Sequence, residues 1–391
     1  MSDYPIISAD SHITEAPTTY TDYIDRAWLE RAPRIQSSDA GDVYWIDGNK
    51  IPVPLGIVAA AGKPAEEIRM LGTRFEDLHR GGWDPEARLA DQARDGVAAE
   101  ILYPTVGTAI CNHRDFDYKR ACFEAYNRWI AEYCSPHPAR LLGCGQTAMR
   151  TPDEGIADLQ AIKAFGLRGV MMPGHPGVED YDSTVYDEFW EAAVGIGLPL
   201  SFHILTTRDS APTRGPRMNA FLSIIRGCQD IMGTLVLGGV FERHPALRFA
   251  ITESTTVWVP EALQLMDQRF SETHFSAKLG DYRSHLSLKP SEYFRRNVFL
   301  GASCMPRREV ELRHEIGLGN IMWGTDYPHP EGSWPVTREQ QLESFHGVPE
   351  VELAAMLGGN AARVYGFDVE KLAPLVARIG PEKSAFRARG A

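Results

Sequence analysis

Short apolar segments typical of strands alternate along this chain with segments that have the apolar spacing of helices. The strand-like segments recur at intervals of roughly 30–50 residues, and such alternation predicts parallel strands joined by right-handed crossovers. Because there are eight of them, we expect a closed (β/α)8 barrel rather than an open sheet. The first strand begins at Ile6, and the others are predicted at 98–104, 140–145, 169–173, 198–203, 247–252, 298–300 and 321–325.

Helix signals occupy the intervals between these strands. Asp84 followed by Pro85, and Thr151 followed by Pro152, are typical of helix starts, because the first residue of each pair caps the helix and proline fits its first turn. The other helices are predicted at 116–134, 186–195, 219–232, 259–275, 307–315, 338–345 and 350–357. An open doubly wound sheet is the alternative fold, but no Gly-x-Gly-x-x-Gly turn follows the first strand.

One elaborated domain is the expected organisation. A single barrel of this kind needs ~250 residues, and the chain has 391. Residues 16–82 lack the alternating pattern and predict an irregular excursion after the first strand, with a hairpin at 43–53, as part of a pocket wall. Residues 338–391 predict a helical tail. We therefore assign residues 1–391 to one domain.

Composition limits the partners and the location. A formal net charge of −12 argues against nucleic acid and anionic membranes as main partners, and no apolar run reaches the ~20 residues of a membrane span. The first residues lack the basic and apolar regions of a signal peptide. The six cysteines form no C-x-x-C pair. We expect reduced thiols, a cytoplasmic location, a small-molecule substrate and, as an open option, a homo-oligomer.

The first strand carries two groups that bind metals or move protons. Asp10 and His12 are two residues apart, and alternate residues of a strand share a face, so both side chains point the same way. Glu15, just beyond, can reach back toward them. A surface strand whose polar residues cap a turn is the alternative interpretation.

Histidines and carboxylates recur at other predicted strand ends, where the active site of a β/α barrel lies. Imidazole and carboxylate groups are the ligands of catalytic zinc, manganese or iron. A core histidine, a capping carboxylate or a surface residue is the alternative at each single position. The residues are His175 after the fourth strand, His203 at the end of the fifth, Glu253 after the sixth, and Asp326 and His329 after the eighth.

A basic loop follows the fifth strand. It carries Arg208, Arg214 and Arg217 among proline and glycine residues. Arginine binds carboxylates and phosphates through paired N–H groups, so the loop predicts a substrate clamp. A solvated basic loop is the alternative.

Short motifs are spread over nearly the whole chain. They are Ala-Asp-Ser-His-x-x-Glu at 9–15, Gly-Gly-Trp-Asp-Pro at 81–85, Leu-Tyr-Pro at 102–104, Gly-Val-Met-Met-Pro at 169–173, Gly-Val-Phe at 239–241, His-Pro at 244–245, Gly-Thr-Asp-Tyr-Pro-His at 324–329 and Gly-Asn-Ala-Ala-Arg at 359–363. In these motifs the chain resembles the amidohydrolase superfamily, in the branch of the aminocarboxymuconate-semialdehyde and resorcylate decarboxylases. The resemblance implies a distorted (β/α)8 barrel with a divalent metal, zinc in the first instance and manganese or iron otherwise. It implies Asp10, His12, His203 and Asp326 as the ligands.

One position departs from the decarboxylase pattern. Where those enzymes carry a histidine after the sixth strand, this chain has Glu253. A carboxylate there serves either as a general base or, together with Glu15, as a ligand of a second metal. The departure leaves open the hydrolytic cleavage of β-keto substrates, including acyl-CoA thioesters, and oxygen chemistry at a di-iron centre.

The sequence thus predicts a metal-dependent hydrolase or lyase that cleaves a C–C bond next to a carbonyl or carboxylate. The substrate is expected to be an organic acid, among them aromatic and unsaturated acids, or an acyl thioester. Glu253 or Asp326 is expected to act as base, with His175 and His329 lining the pocket. A non-heme di-iron monooxygenase is the alternative enzyme. A non-catalytic ligand-binding barrel is disfavoured, because five polar strand ends are costly to bury without use.

Overall fold

The structure is a computed structural model that describes residues 4–206, 215–272 and 276–386. The strands of the described residues are β1 (Ile7–Ile13), β2 (Arg34–Ser38), β3 (Gly41–Trp45), β4 (Val53–Pro54), β5 (Ala99–Pro104), β6 (Leu141–Gln146), β7 (Gly169–Met171), β8 (Leu200–His203), β9 (Phe249–Thr252), β10 (Val298–Ser303) and β11 (Ile321–Gly324). Eight of them are parallel and form one sheet in the order β1-β5-β6-β7-β8-β9-β10-β11, and β2, β3 and β4 form a small antiparallel sheet.

The first and last barrel strands meet at a seam. The backbone N–H of Asp326 donates to the Asp10 carbonyl over 2.9 Å, and a Cβ on Gly324 would lie 2.7 Å from the Asp10 Cβ. The two strands therefore approach as closely as the glycine allows. Three buried hydroxyls, the hydroxyl seam of Ser8, Ser11 and Thr325, are linked to one another at 2.9 to 3.1 Å across the same junction. The expected (β/α)8 barrel is confirmed.

Helices cover the outside of the barrel and follow the expected start signals. The Asp84 carboxylate accepts from the backbone N–H groups of Glu86 and Ala87, and Thr151 caps the helix that begins at Pro152. The helices are α1 (Pro85–Asp95), α2 (Val106–Cys111), α3 (Phe116–Cys134), α4 (Pro152–Ala164), α5 (Asp187–Ile196), α6 (Ala220–Leu237), α7 (Val240–Arg243), α8 (Val259–Ser271), α9 (Ser276–Leu279), α10 (Pro290–Asn297), α11 (Arg307–Glu311), α12 (Arg313–Ile316), α13 (Thr337–Phe345), α14 (Glu350–Ala354), α15 (Asn360–Tyr365) and α16 (Val369–Ile379).

The core lies inside the sheet and between the sheet and its helices. Strands β5 and β6 are buried along their whole length, as expected where both faces of a parallel sheet are covered. Full burial of one large apolar side chain contributes about 1.5–3 kcal/mol, so this continuous core supplies a rigid frame for the strand ends.

The excursion after β1 contains more structure than the sequence indicated. The expected hairpin is present, because Val43 of β3 pairs with Pro54 of β4. Strand β2, which pairs with β3, was missed. Its sequence is Arg-Ile-Gln-Ser-Ser, and its last three residues are exposed, so it has no apolar alternation to reveal it.

Several predicted ends need correction. Strand β10 continues to Ser303, three residues beyond the prediction, and the helix expected at 307–315 is split into α11 and α12. The helix expected to reach residue 275 ends at Ser271. In the tail, α14 runs through a π turn into α15, and α16 lies within the predicted helical tail, beyond the last helix whose bounds were predicted. These are features of packing on the barrel and not of local periodicity.

Helix α6 is long and apolar enough, with a mean hydropathy of 1.4, to cross a membrane by length and composition alone. It lies in the helical layer between β8 and β9, and 28% of it is buried. One such helix is weak evidence, since helices of soluble proteins pass the same test. The expected independence from membranes therefore stays a prediction.

Candidate metal centre

Three polar side chains of the candidate site belong to barrel strands. Asp10 and His12 lie on the same face of β1, and His203 is the last residue of β8. All three are at most 2% exposed. Strand β1 pairs with β5 and β8 pairs with β9, so the barrel itself directs these side chains to one point above its carboxyl rim.

Two further side chains follow strands directly. Glu253 comes after β9 and Asp326 after β11, and both have left-handed backbones, with φ of 63° and 54°. This conformation costs a non-glycine residue roughly 1–2 kcal/mol. Hydrogen bonds hold it in place: the N–H of Glu253 donates to the Gly301 carbonyl over 2.9 Å, and that of Asp326 to the Asp10 carbonyl. These two left-handed turns direct both carboxylates over the carboxyl ends of the strands.

The donor atoms of the site are close together. His12 Nε2 lies 3.0 Å from Glu253 Oε2, 3.6 Å from Asp326 Oδ1 and 3.7 Å from Asp10 Oδ1. His203 Nε2 lies 2.9 Å from Glu253 Oε2 and 3.5 Å from Asp10 Oδ1. Ligands at ~2.1 Å from one ion are ~3–3.5 Å from each other, so these separations suit a shared cation.

Two of the donors have no hydrogen-bond partner although they are buried. Asp10 Oδ1 is one of them. His203 Nε2 is the other. It lies 2.9 Å from Glu253 Oε2, but the two groups are not aligned for a hydrogen bond. Buried polar atoms are costly to leave unpaired. The imidazole and carboxylate donors therefore fit a divalent metal ion. The donor atoms of two overlapping groups lie within 4.8 Å of one another: Asp10, His12, His203 and Glu253, and His12, Glu253, Asp326 and His329.

His329 completes the cluster from the loop after β11. Its ring stacks on His12 with 4.0 Å between the ring centroids, and its Nδ1 lies 3.0 Å from Asp326 Oδ1. The ring also faces the cavity described below. This imidazole thus connects a buried carboxylate to the space for a substrate.

Burial and mutual attraction set the charges of the cluster. Burial lowers the pKa of His12 to about 4, so this imidazole is neutral at pH 7, the form that binds metals. Burial opposes charge on Glu253 and His203 as well. Their attraction outweighs it, so the pKa of His203 lies well above and that of Glu253 well below the usual value.

A cavity of about 600 Å³ opens above the cluster. Its floor contains His12, His203, Glu253 and His329, and much of its wall comes from the excursion, at 49–58. That part of the wall is mostly apolar. The expectation that the excursion forms part of a pocket wall is confirmed.

Two side chains that the sequence did not single out support the cluster. The Ser303 hydroxyl donates to Asp10 Oδ2. The buried Glu309 carboxylate accepts from the backbone N–H of Thr256 over 3.1 Å and from its hydroxyl over 2.8 Å, which fastens the loop after Glu253. Ser303 lies at the end of the seventh barrel strand, one of three strand ends for which the sequence offered no expected ligand.

Two predicted residues lie elsewhere. Glu15 does not join the cluster, because its two carboxylate oxygens accept the backbone N–H groups of Val106 and Gly107, each over 3.0 Å. His175 is exposed and does not line the cavity. Its loop is drawn outward, with the Gly174 N–H bonded to the Thr206 carbonyl.

The structure does not describe the side chains of the predicted clamp. Arg208 and Arg214 lie outside the described residues, and so does the side chain of Arg217. Their proposed role is a prediction from the sequence. The roles assigned to Asp10, His12, His203, Glu253, Asp326 and His329 are likewise predictions, although the structure brings these six residues together.

Comparisons with known proteins agree with this architecture. A curated relative, 2-amino-3-carboxymuconate-6-semialdehyde decarboxylase of Dictyostelium discoideum, is 24% identical over 310 residues, 77% of this chain and 81% of the relative. An amidohydrolase from Mycobacterium avium subsp. paratuberculosis K-10 shares the fold with a TM-score of 0.75 at 20% identity, over 95% of this chain and all of the other.

A second similar structure contains a metal. The 5-carboxyvanillate decarboxylase of Novosphingobium aromaticivorans DSM 12444, complexed with manganese and 4-hydroxy-3-methoxy-5-nitrobenzoic acid, is 20% identical. The superposition covers 71% of this chain and 79% of that one with a TM-score of 0.60. At this identity the likeness shows a shared fold.

A barrel with imidazole and carboxylate groups gathered at the carboxyl ends of its strands is that of a metal-dependent enzyme. The amidohydrolase family profile matches residues 9–367, and the chain belongs to this family. The resemblance found in the sequence is thereby confirmed.

Proposed function

We propose that the protein is a metal-dependent decarboxylase of a small aromatic or unsaturated organic acid. The observation that carries the proposal is the cluster of three imidazoles and three carboxylates below a cavity with a largely apolar wall. The curated relative and the manganese-containing neighbour are both decarboxylases, which supports this reaction. Manganese and zinc are the ions we expect.

The metal is expected to be held by Asp10, His12, His203 and Asp326, with Glu253 beside it. A divalent ion there supplies positive charge that stabilises an oxygen anion next to the breaking C–C bond. The chain's own residues do the remaining work. The wall at 49–58 packs against the apolar body of the substrate and excludes water. This packing orients the acid group of the substrate toward the floor of the cavity.

Decarboxylation also needs a proton for the carbon that loses CO2. We assign this transfer to His329, and the support is that its ring faces the cavity and its Nδ1 lies 3.0 Å from Asp326 Oδ1. Glu253 Oε2, between the imidazoles of His12 and His203, fixes both rings by charge. Geometry of this kind is suited to general acid–base work.

Hydrolysis of a β-keto substrate, including an acyl thioester, is the second candidate. The observation that favours it is Glu253 itself, a carboxylate where the resembled decarboxylases carry histidine. A carboxylate base is suited to activating water. The cytoplasmic location, the possible homo-oligomer and the lack of nucleic-acid or membrane partners are predictions from the sequence.

The test uses metal-stripped protein reloaded with Mn²⁺ or Zn²⁺. Hydroxybenzoates, unsaturated semialdehyde acids and β-keto acyl thioesters are supplied in turn, and CO2 and carboxylate products are measured. Release of CO2 without uptake of water supports the proposal. Cleavage of a β-keto acyl thioester into one carboxylic acid and one shorter thioester, with uptake of one water, favours hydrolysis instead. Two irons per chain in protein purified without added metal, with consumption of O2, would replace both by the oxygenase alternative.

A further inference from the structure

Ser303 is the last residue of β10, and neither the family match nor the proposed reaction gives it a role. We propose that Ser303 is a positioning residue of the metal centre: its hydroxyl holds the Asp10 carboxylate so that one oxygen faces the ion. The inference rests on the metal site that the proposed function requires.

The contact between Ser303 and Asp10 spans one strand of the barrel. Ser303 lies on β10 and Asp10 on β1, with β11 between them in the sheet. The Ser303 hydroxyl donates to Oδ2 of Asp10, whose side chain is fully buried. A hydrogen bond to a carboxylate is stronger than one between neutral groups, so it restrains the side chain rotation of Asp10.

The two oxygens of Asp10 differ as a result. Oδ2 is occupied by the Ser303 hydroxyl, whereas Oδ1 has no hydrogen-bond partner and lies 3.5 Å from His203 Nε2 and 3.7 Å from His12 Nε2. A carboxylate can bind an ion through one oxygen or two. With Oδ2 engaged, Asp10 presents a single oxygen beside the imidazoles.

The neighbouring hydroxyls have a different function. The hydroxyl seam of Ser8, Ser11 and Thr325 bonds internally and to backbone groups, including the Asp10 carbonyl at 2.8 Å, and so joins β1 to β11. Ser303 is only half-buried and bonds to a donor side chain of the cluster. Loss of its hydroxyl is therefore expected to affect the metal more than the fold.

The experiment compares three variants. Ser303→Ala removes the hydroxyl, Ser303→Thr keeps it, and Ser201→Ala is the matched control. Ser201 is a buried serine of β8 whose hydroxyl donates to the Val170 carbonyl over 3.1 Å and not to a donor side chain of the cluster. Mn²⁺ is titrated into metal-stripped protein while free Mn²⁺ is followed by electron paramagnetic resonance. Zn²⁺ affinity is measured by competition, and unfolding midpoints are recorded without metal.

Partners of metal ligands typically contribute 10–100-fold to affinity, and we expect Ser303→Ala to weaken Mn²⁺ binding by about that factor. Ser303→Thr should restore it to within a few-fold of the original, and Ser201→Ala should leave it unchanged. The metal-free unfolding midpoints of Ser303→Ala and Ser201→Ala should shift similarly. This pattern supports the inference whether or not a substrate is cleaved.

Three results overturn it. The first is an unchanged dissociation constant in Ser303→Ala. The second is equal weakening in Ser201→Ala, and the third is a folded Ser303→Thr that binds no better than the alanine variant. If the original protein binds neither Mn²⁺ nor Zn²⁺, the proposed function fails as well. The original protein thus separates failure of this inference alone from failure of both.

Discussion

The donors of the site are held in two different ways. Asp10, His12 and His203 lie within strands: β1 pairs with β5 and β8 pairs with β9, and the Asp10 carbonyl also accepts the Asp326 N–H. Glu253 and Asp326 lie just beyond strands in left-handed turns. The first group is positioned by the barrel, and the second depends on a few specific contacts. The comparison predicts that contacts that anchor the backbone, such as those of Glu309, matter mainly for the second group.

The largest effect should come from removing one donor of each kind. We expect His203→Ala and Asp326→Ala each to lose the metal and nearly all activity while the barrel stays folded, because either loss leaves an incomplete set of ligands. Metal content by elemental analysis, turnover and circular dichroism test this. The exposed His175, changed to Ala, is the control and should retain both metal and turnover. A fully loaded, active His203→Ala or Asp326→Ala refutes the assignment.

Glu253→Gln should have the next largest effect. The amide has nearly the same shape but cannot take up a proton at neutral pH, so a general base lost here lowers kcat by about 10²–10⁴-fold. Metal content measured on the same preparation distinguishes the roles. Activity lost with the metal retained identifies a base. Loss of about one ion per chain identifies a ligand, and no change in either reduces Glu253 to a cap of β9.

A smaller effect is expected from the contact that anchors the loop after Glu253. Glu309→Ala removes the acceptor of two hydrogen bonds and leaves the Thr256 N–H without its partner, which costs about 1–3 kcal/mol. We expect kcat to fall roughly tenfold with the metal retained, because small displacements of catalytic groups are costly. The matched control is Glu311→Ala, which removes an exposed ion pair to Arg307 and should change neither kcat nor stability. Equal kcat values for the two variants contradict the anchoring role.

The smallest effect on catalysis is expected at Glu15, the carboxylate that is directed away from the cluster. Burial raises its pKa to about 7 from 4.5, so the folded protein holds a proton that the unfolded chain releases. Stability from this group is therefore complete below pH 4.5 and is lost as the pH rises to about 7, by up to roughly 3 kcal/mol. Urea unfolding from pH 4.5 to 8 should show this loss in the original protein and not in Glu15→Gln. Identical pH profiles would contradict it.

The strand-borne donors were predictable from the sequence, and the reason is periodicity. Two residues apart on a strand, Asp10 and His12 had to share a face, and His203 ended an apolar run. The seventh strand was predicted to end at Leu300, so Ser303 fell outside it. A serine by itself does not indicate a metal site.

Residues beyond strand ends were harder to place. His175 and His329 both follow strands in loops rich in proline, yet one is exposed and the other stacks on His12. The direction of such a loop depends on tertiary hydrogen bonds, such as that from Gly174 to Thr206, which local sequence does not encode. Glu15 was misplaced for the same reason, since the N–H groups that it accepts belong to a distant segment.

The wall at 49–58 belongs to the excursion, while the described donors of the metal cluster belong to the barrel rim. The residues that line the space for a substrate and the residues of the metal cluster therefore lie in separate segments of the sequence. A substitution at Ile51 or Ile57 can reshape the space for a substrate without moving Asp10, His12 or His203. New acids can thus be adopted by small steps through folded, metal-loaded intermediates, which makes this wall the natural target for directed evolution of the enzyme.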